Sequence, residues 1–297
     1  MIVGMKKSVL FGMAAALVLA ASCTPKVSGI RTEKCVFSGA DAHARLSIEA
    51  ELPVAATEGT AVMRQTLVDV MDKALANIDP GEERRAFPRF GGDLGSAEAL
   101  GAYYGEKAFA EVSAKAQADV DMRTEDIRSN ENLTEEERQQ ALQDLPGWEF
   151  DFKLEKVYET ERIAVFESLN YVYLGGAHGG IVGDGALTFD KESGMRIRDF
   201  FVPGAAAQMQ DLLRRGLDEY FAEASGGADY VLEDFLHLDG DLIPLPQWAP
   251  KPTEEGLVLT YQQYEIAAYA AGMPSFTLSY AEAAPFLLPE AKKDLGL

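Results

Sequence analysis

The chain has 297 residues, 47% of them apolar and 25% charged, with a formal net charge of −21. That composition supports a packed core and excludes a disordered or fibrous chain. So acidic a surface repels nucleic acid phosphates and anionic lipid heads, and it favours cationic partners.

Lys6 and Lys7 precede an apolar run, Val9 to Ala21, of signal-peptide length. Small residues then lead to Cys23 in "LVLAASC", although Ala20 stands where leucine is more usual. The pattern predicts a lipoprotein signal over residues 1–22, with Cys23 as the lipidated start of the mature protein. An ordinary cleaved leader with a chance cysteine is the alternative. The body would then lie outside the cytoplasm, anchored to a bacterial membrane by lipid and not by a spanning helix. If Cys23 carries lipid, Cys35 has no disulfide partner, and the fold rests on its core. No nucleophilic role is expected for Cys35.

Residues 23–40 read as a tether. "ARLSIEAELPVA" alternates Leu46, Ile48 and Leu52 against polar neighbours, which predicts a half-buried strand ending at Pro53. Met63, Leu67, Val70, Met71, Leu75 and Ile78 recur at helical spacing over 60–78. A second helix is expected from near Ser96 to about Arg128, its polar second half an exposed arm. Thr134 stands three residues before Glu137, a capping box opening a short helix that stops before Pro146. "WEFDFKLEKVYE" and "ERIAVFESLNYVYLG" read as an antiparallel hairpin. Further on, a strand turns at Glu192–Gly194, and a helix spans about 205–224. Two strands meet through Glu254–Gly256, a last strand covers 275–280, and "AEAAPFLL" closes as a helical turn. The fold class is α+β, with mainly antiparallel sheets, packed helices and two closely associated small domains.

Gly175–His178, "GGAH", follows a strand containing Tyr171 and Tyr173. "YEIAAYAAG", Tyr264–Gly272, lies some way downstream. Together these resemble the extracytoplasmic region of RsiV-type anti-sigma factors, which respond to lysozyme. There "GGAH" joins two small domains, and Ala268 here replaces the usual proline. The upstream half, from Arg45 through the helix at 60–78, is similar to the non-catalytic domain of PdaC-type peptidoglycan deacetylases. The resemblance implies a PdaC-like domain over 41–180 and an RsiV-like domain over 181–297. It also implies a lysozyme-like basic protein or peptidoglycan as partner. No spanning helix and no sigma-binding or deacetylase domain is expected from these residues.

Four glycines flank His178: Gly175, Gly176, Gly179 and Gly180. They are expected to permit positive φ and close backbone approach. His178 is read first as a pin for this loop and second as a ligand contact. A catalytic role has less support, because no G-x-S-x-G elbow or paired base accompanies it. Tyr264 and Tyr269 either line a groove or pack between sheet and helix. Trp148 and Trp248 are expected to cap the core and would become sugar-stacking candidates only if exposed. His43, His178 and His237 lack the close spacing of a metal site, so no metal or cofactor is expected. The candidate ligand-binding residues are therefore His178, Gly176, Gly179, Tyr264 and Tyr269. The expected function is non-catalytic binding of a cell-envelope ligand. A wall-acting hydrolase, or an accessory lipoprotein of an envelope complex, is the alternative.

Overall fold

The computed structural model describes residues 29–78, 85–224 and 230–297. The leader over 1–22 and the lipidation residue Cys23 lie outside the described residues. No helix among the described residues is long and apolar enough to cross a membrane.

β1 (Thr32–Ala40) and β2 (Ala44–Pro53) form an antiparallel pair. Helices α1 (Glu58–Ala76), α2 (Ala97–Ser129) and α3 (Glu135–Gln143) follow. β3 (Trp148–Glu159) then returns parallel to β2, a pairing that requires a long crossover, here the three helices. β4 (Ile163–Leu174), β5 (Gly180–Asp190) and β6 (Arg196–Ile197) complete an antiparallel run. The sheet order is β1-β2-β3-β4-β5-β6.

One sheet face carries Leu46, Ile48, Phe150 and Phe152 into a core with Met63, Leu67 and Met71 of α1 and Leu100 and Tyr104 of α2. The helix starts follow local chemistry. Thr57 and Thr60 make a capping box at α1, Ser96 caps α2, and the Thr134–Glu137 box opens α3 as its spacing predicts.

Three expectations change. The tether over 23–40 is strand from Thr32 onward. β1 is an edge strand in which Cys35 alone is fully buried, so it shows little apolar alternation. The second half of α2 is not a free arm, because Val112, Ala116 and Val120 are buried at helical spacing. The division at 180/181 falls inside a sheet, since β5 pairs with β4 along most of its length.

The second lobe begins after β6. α4 (Ala205–Gln208) and α5 (Gln210–Ala224) replace the single expected helix, with a break at Met209. β7 (Lys251–Pro252), β8 (Gly256–Thr260) and β9 (Ser275–Ser279) form a three-stranded antiparallel sheet. α6 (Tyr280–Ala283) starts the expected closing turn, and α7 (Pro289–Leu295) ends the chain's regular structure. Leu213, Leu217 and Phe221 pack with Leu257, Leu259, Tyr261 and Leu278 in a separate core. Trp248 bridges the lobes. Its Nε1 donates to the Gly183 carbonyl at 3.1 Å, and its ring lies where a Cβ on Gly185 would stand. Lys251 Nζ also pairs with Glu167 Oε1 at 2.8 Å.

Candidate functional site

The site forms where β4 ends and the chain turns into β5. Gly175 is the only one of the four loop glycines with a positive φ, at 72°. A Cβ there would also meet the Arg123 guanidinium at 2.6 Å. Arg123 reaches across from α2, donating to the carbonyls of Gly175 (3.0 Å) and Pro146 (2.8 Å) and pairing with Asp119 (2.6 Å). The polar end of α2 thus clamps the loop.

The other glycines act differently from the expectation of positive φ. Gly176 faces open space, with no heavy atom within 4 Å of an added Cβ. Gly179 is buried, and an added Cβ would lie 2.5 Å from ring atoms of Tyr171. Close approach, not backbone handedness, requires glycine at 179.

The loop brings His178 onto the second lobe. Its ring stacks on Tyr269 with centroids 3.7 Å apart and planes inclined by 19°. The Tyr269 hydroxyl donates to the Gly179 carbonyl at 2.7 Å. His178 Nδ1 lies 3.1 Å from that same carbonyl, and Nε2 lies 3.2 Å from the Tyr264 hydroxyl. A carbonyl only accepts, so the neutral ring carries its proton on Nδ1 and accepts the Tyr264 O–H at Nε2. Gln263 adds a further tie, its Oε1 accepting from the Ile181 N–H at 2.9 Å.

Tyr264 is the exposed member. It is 64% exposed and is the only non-glycine among the described residues with a positive φ, at 66°. Its ring centroid lies 5.7 Å from that of Tyr269. A large aromatic held in a left-handed conformation at the surface costs energy that core packing does not return. The structure therefore joins three of the five sequence candidates, His178, Tyr264 and Tyr269, into an open aromatic cluster. Gly179 supports it from beneath, and Gly176 lies beside it without contacts that need a glycine.

The cluster offers ring faces and a hydroxyl suited to sugar stacking or to a cationic side chain. Among the described residues, His178 bonds to no carboxylate and to no hydroxyl other than that of Tyr264. No group of three metal-ligating side chains converges among the described residues. Trp148 and Trp248 are both buried, which removes them as stacking platforms. Tyr171, Gln263 and Arg123 are supports that the sequence did not single out. Their signals were faint: one tyrosine on the strand, one glutamine beside Tyr264, one arginine four residues after Asp119.

A family model described as a protein of unknown function (DUF3298) matches residues 198–281, which include Tyr264 and Tyr269 but not His178. Two crystal structures share the fold. One is a DUF3298 family protein from Pseudomonas aeruginosa PAO1, 14% identical, with a TM-score of 0.54 over 90% of this chain and 97% of that one. The other is a member of the DUF3298 family from Bacteroides fragilis NCTC 9343, 16% identical, with a TM-score of 0.59 over 91% and 98%. No curated protein matches. The chain thus carries a segment matching DUF3298, on a fold shared with DUF3298 family proteins.

Proposed function

We propose that the protein is a lipid-anchored, extracytoplasmic binding module without catalytic activity, and that its partner is a basic protein of the lysozyme type. The observation that carries this reading is the exposed His178–Tyr264–Tyr269 cluster, with Tyr264 held in a costly backbone conformation at the surface. The net charge of −21 supports a cationic partner and would speed its approach. Cation–π contacts between the tyrosine rings and partner lysines or arginines would then add short-range specificity. The resemblance of "GGAH" and "YEIAAYAAG" to RsiV-type receptors points the same way, since these two segments form the cluster.

Titration calorimetry of the full chain in mild detergent with a c-type lysozyme tests the proposal. At about 0.3 M salt the screening length is about 5–6 Å, so diffuse attraction between surfaces is largely removed. Micromolar binding that survives this salt and is lost in Tyr264→Ala supports the reading. Heat that vanishes with salt overturns the lysozyme assignment. Binding of soluble peptidoglycan fragments in its place would make wall glycan the partner.

A further inference from the structure

A second site lies apart from the aromatic cluster, in a cavity of about 530 Å³ between the lobes. Its lining includes Gly183 and Asp184 of β5, Arg196 of β6, Arg198 just beyond it, and Trp248 and Gln262 of the second lobe. The volume falls within the range of small-molecule pockets. The wall is built by a β-bulge. The β4–β5 register slips between Ser168 and Asn170, and Gly183 and Gly185 take positive φ of 136° and 61°. The indole hydrogen bond to Gly183 fixes this wall against the second lobe.

The arginines are poorly matched by the protein itself. Arg196 is only 12% exposed at its side chain, and its nearest carboxylate oxygen, on Asp184, stands 3.8 Å away. That is ion-pair range but beyond a good hydrogen bond. Its Nε is buried with no partner. Among the described residues Arg198 makes no side-chain hydrogen bond or ion pair. Burial first, and then the neighbouring Arg198 charge, lower the Arg196 guanidinium from its ordinary value, and Asp184 offsets this only in part. A guanidinium does not lose its proton in practice, so the mismatch persists as unspent binding capacity. Other acids are placed less well. Asp199 lines the cavity without pairing to either arginine, and the Glu265 carboxylate is occupied by the backbone N–H groups of Gln247 and Gln262.

We propose that this cavity binds the oxyanion of a small organic ligand, with Arg196 and Arg198 holding the oxyanion and the half-buried Phe201 and Leu245 contributing an apolar wall for the ligand's body. Planar guanidinium forks recognise carboxylate and phosphate by the same paired hydrogen bonds, so either group could supply the ligand chemistry. In this strongly acidic chain the cavity keeps one arginine without a side-chain partner among the described residues, Arg198, and one, Arg196, whose ion pair to Asp184 is long at 3.8 Å.

The test is calorimetric titration of the full chain in mild detergent with the dipeptide Ala-Ala, with its C-terminal amide, and with inorganic phosphate. The expected result is that the free acid binds roughly tenfold or more tightly than the amide, and that Arg198→Ala removes the difference. Arg198 is exposed, so this variant should keep the fold. Arg196→Lys, which retains charge but loses the fork, should weaken the acid by a similar factor. Arg215→Ala, on α5 and paired with Glu282, should change nothing. Phosphate binding that depends on Arg198, without dipeptide binding, keeps the oxyanion site and assigns it to phosphate. Equal affinity for acid and amide with no response to phosphate, or no binding of any probe up to about 10 mM, overturns the proposal.

Discussion

His178 and Tyr269 lie face to face, 3.7 Å between ring centroids, and this contact turns two separate sequence segments into one surface. The glycine loop itself offers only the exposed Ala177 methyl group for packing, so on its own side it is held by the Arg123 clamp and by Tyr171 beneath Gly179. The second lobe alone would leave Tyr269 without a stacking partner. Each segment therefore depends on the docking of the lobes, which Trp248 and Lys251 secure.

Tyr264 separates a packing role from a binding role. Its positive φ strains any residue with a Cβ, and replacement by glycine should relieve about 1 kcal/mol or more. The lost hydrogen bond to His178 is exposed and worth roughly 0.5–1 kcal/mol. Tyr264→Gly should therefore leave the urea midpoint unchanged or slightly raised, while binding of the basic partner falls about tenfold or more. A loss of stability above about 2 kcal/mol would show that Tyr264 is there to pack.

The loop glycines should split in the same way. Gly176→Ala adds a methyl group to open space and should shift stability by less than about 0.5 kcal/mol. Gly179→Ala drives a methyl group into Tyr171 and should cost roughly 1–3 kcal/mol, read from thermal unfolding. Equal effects at the two positions would contradict the placement of Tyr171 beneath the loop.

What could be read in the sequence was local. The capping box at Thr134, the helical spacing from Met63 to Leu75, and the alternation from Trp148 to Leu154 each depend on near neighbours, and each corresponds to an observed element. The parallel pairing of β2 with β3 spans three helices and leaves no local mark. β1 hides for a similar reason, since an edge strand with one buried side chain has almost no pattern. At the site, the glycine density marked the loop, but the need for glycine at 179 comes from a side chain eight residues earlier. Arg196 and Arg198 stand two apart, a spacing that puts both on one side of an extended chain. The large acidic excess obscured that signal.

Asp72 should make the first lobe acid-sensitive. Its carboxylate is buried on α1 and accepts two hydrogen bonds from Arg85, at 2.6 and 2.8 Å, and one from the Tyr104 hydroxyl at 2.8 Å. Burial pushes this carboxyl up, but the bonds from Arg85 and Tyr104 and the charges of Arg85 and Arg89 outweigh it and hold it below its ordinary value. The folded group therefore binds its proton less readily than the unfolded one, whose pKa is about 3.9. Its contribution is complete above that pH and is lost as pH falls through the lower folded value. Asp72→Asn should cost roughly 2–4 kcal/mol at pH 7, with the gap to wild type narrowing below about pH 4. Urea midpoints measured for both chains from neutral to acid pH check this, and a constant gap would contradict it.

Cys35 should be chemically silent until the lobe opens. Its Sγ is buried 3.9 Å from Met71 Sδ. Burial pushes the thiol up to about 11, with Arg64 opposing and Glu33 adding to the rise. At pH 8 only about one molecule in a thousand would carry the reactive thiolate, and reagent must still reach it. In a Cys23→Ser chain Cys35 is the sole thiol, so a colorimetric disulfide reagent reports on it alone. Labelling in native buffer should proceed only at the rate of structural opening, and denaturant should accelerate it at least about 100-fold. Prompt labelling of the native chain would mean that α1 and β1 separate readily. The buried face against which α2 packs would then be a mobile one, and the lobe that positions the Arg123 clamp would be too loose to hold His178 on Tyr269.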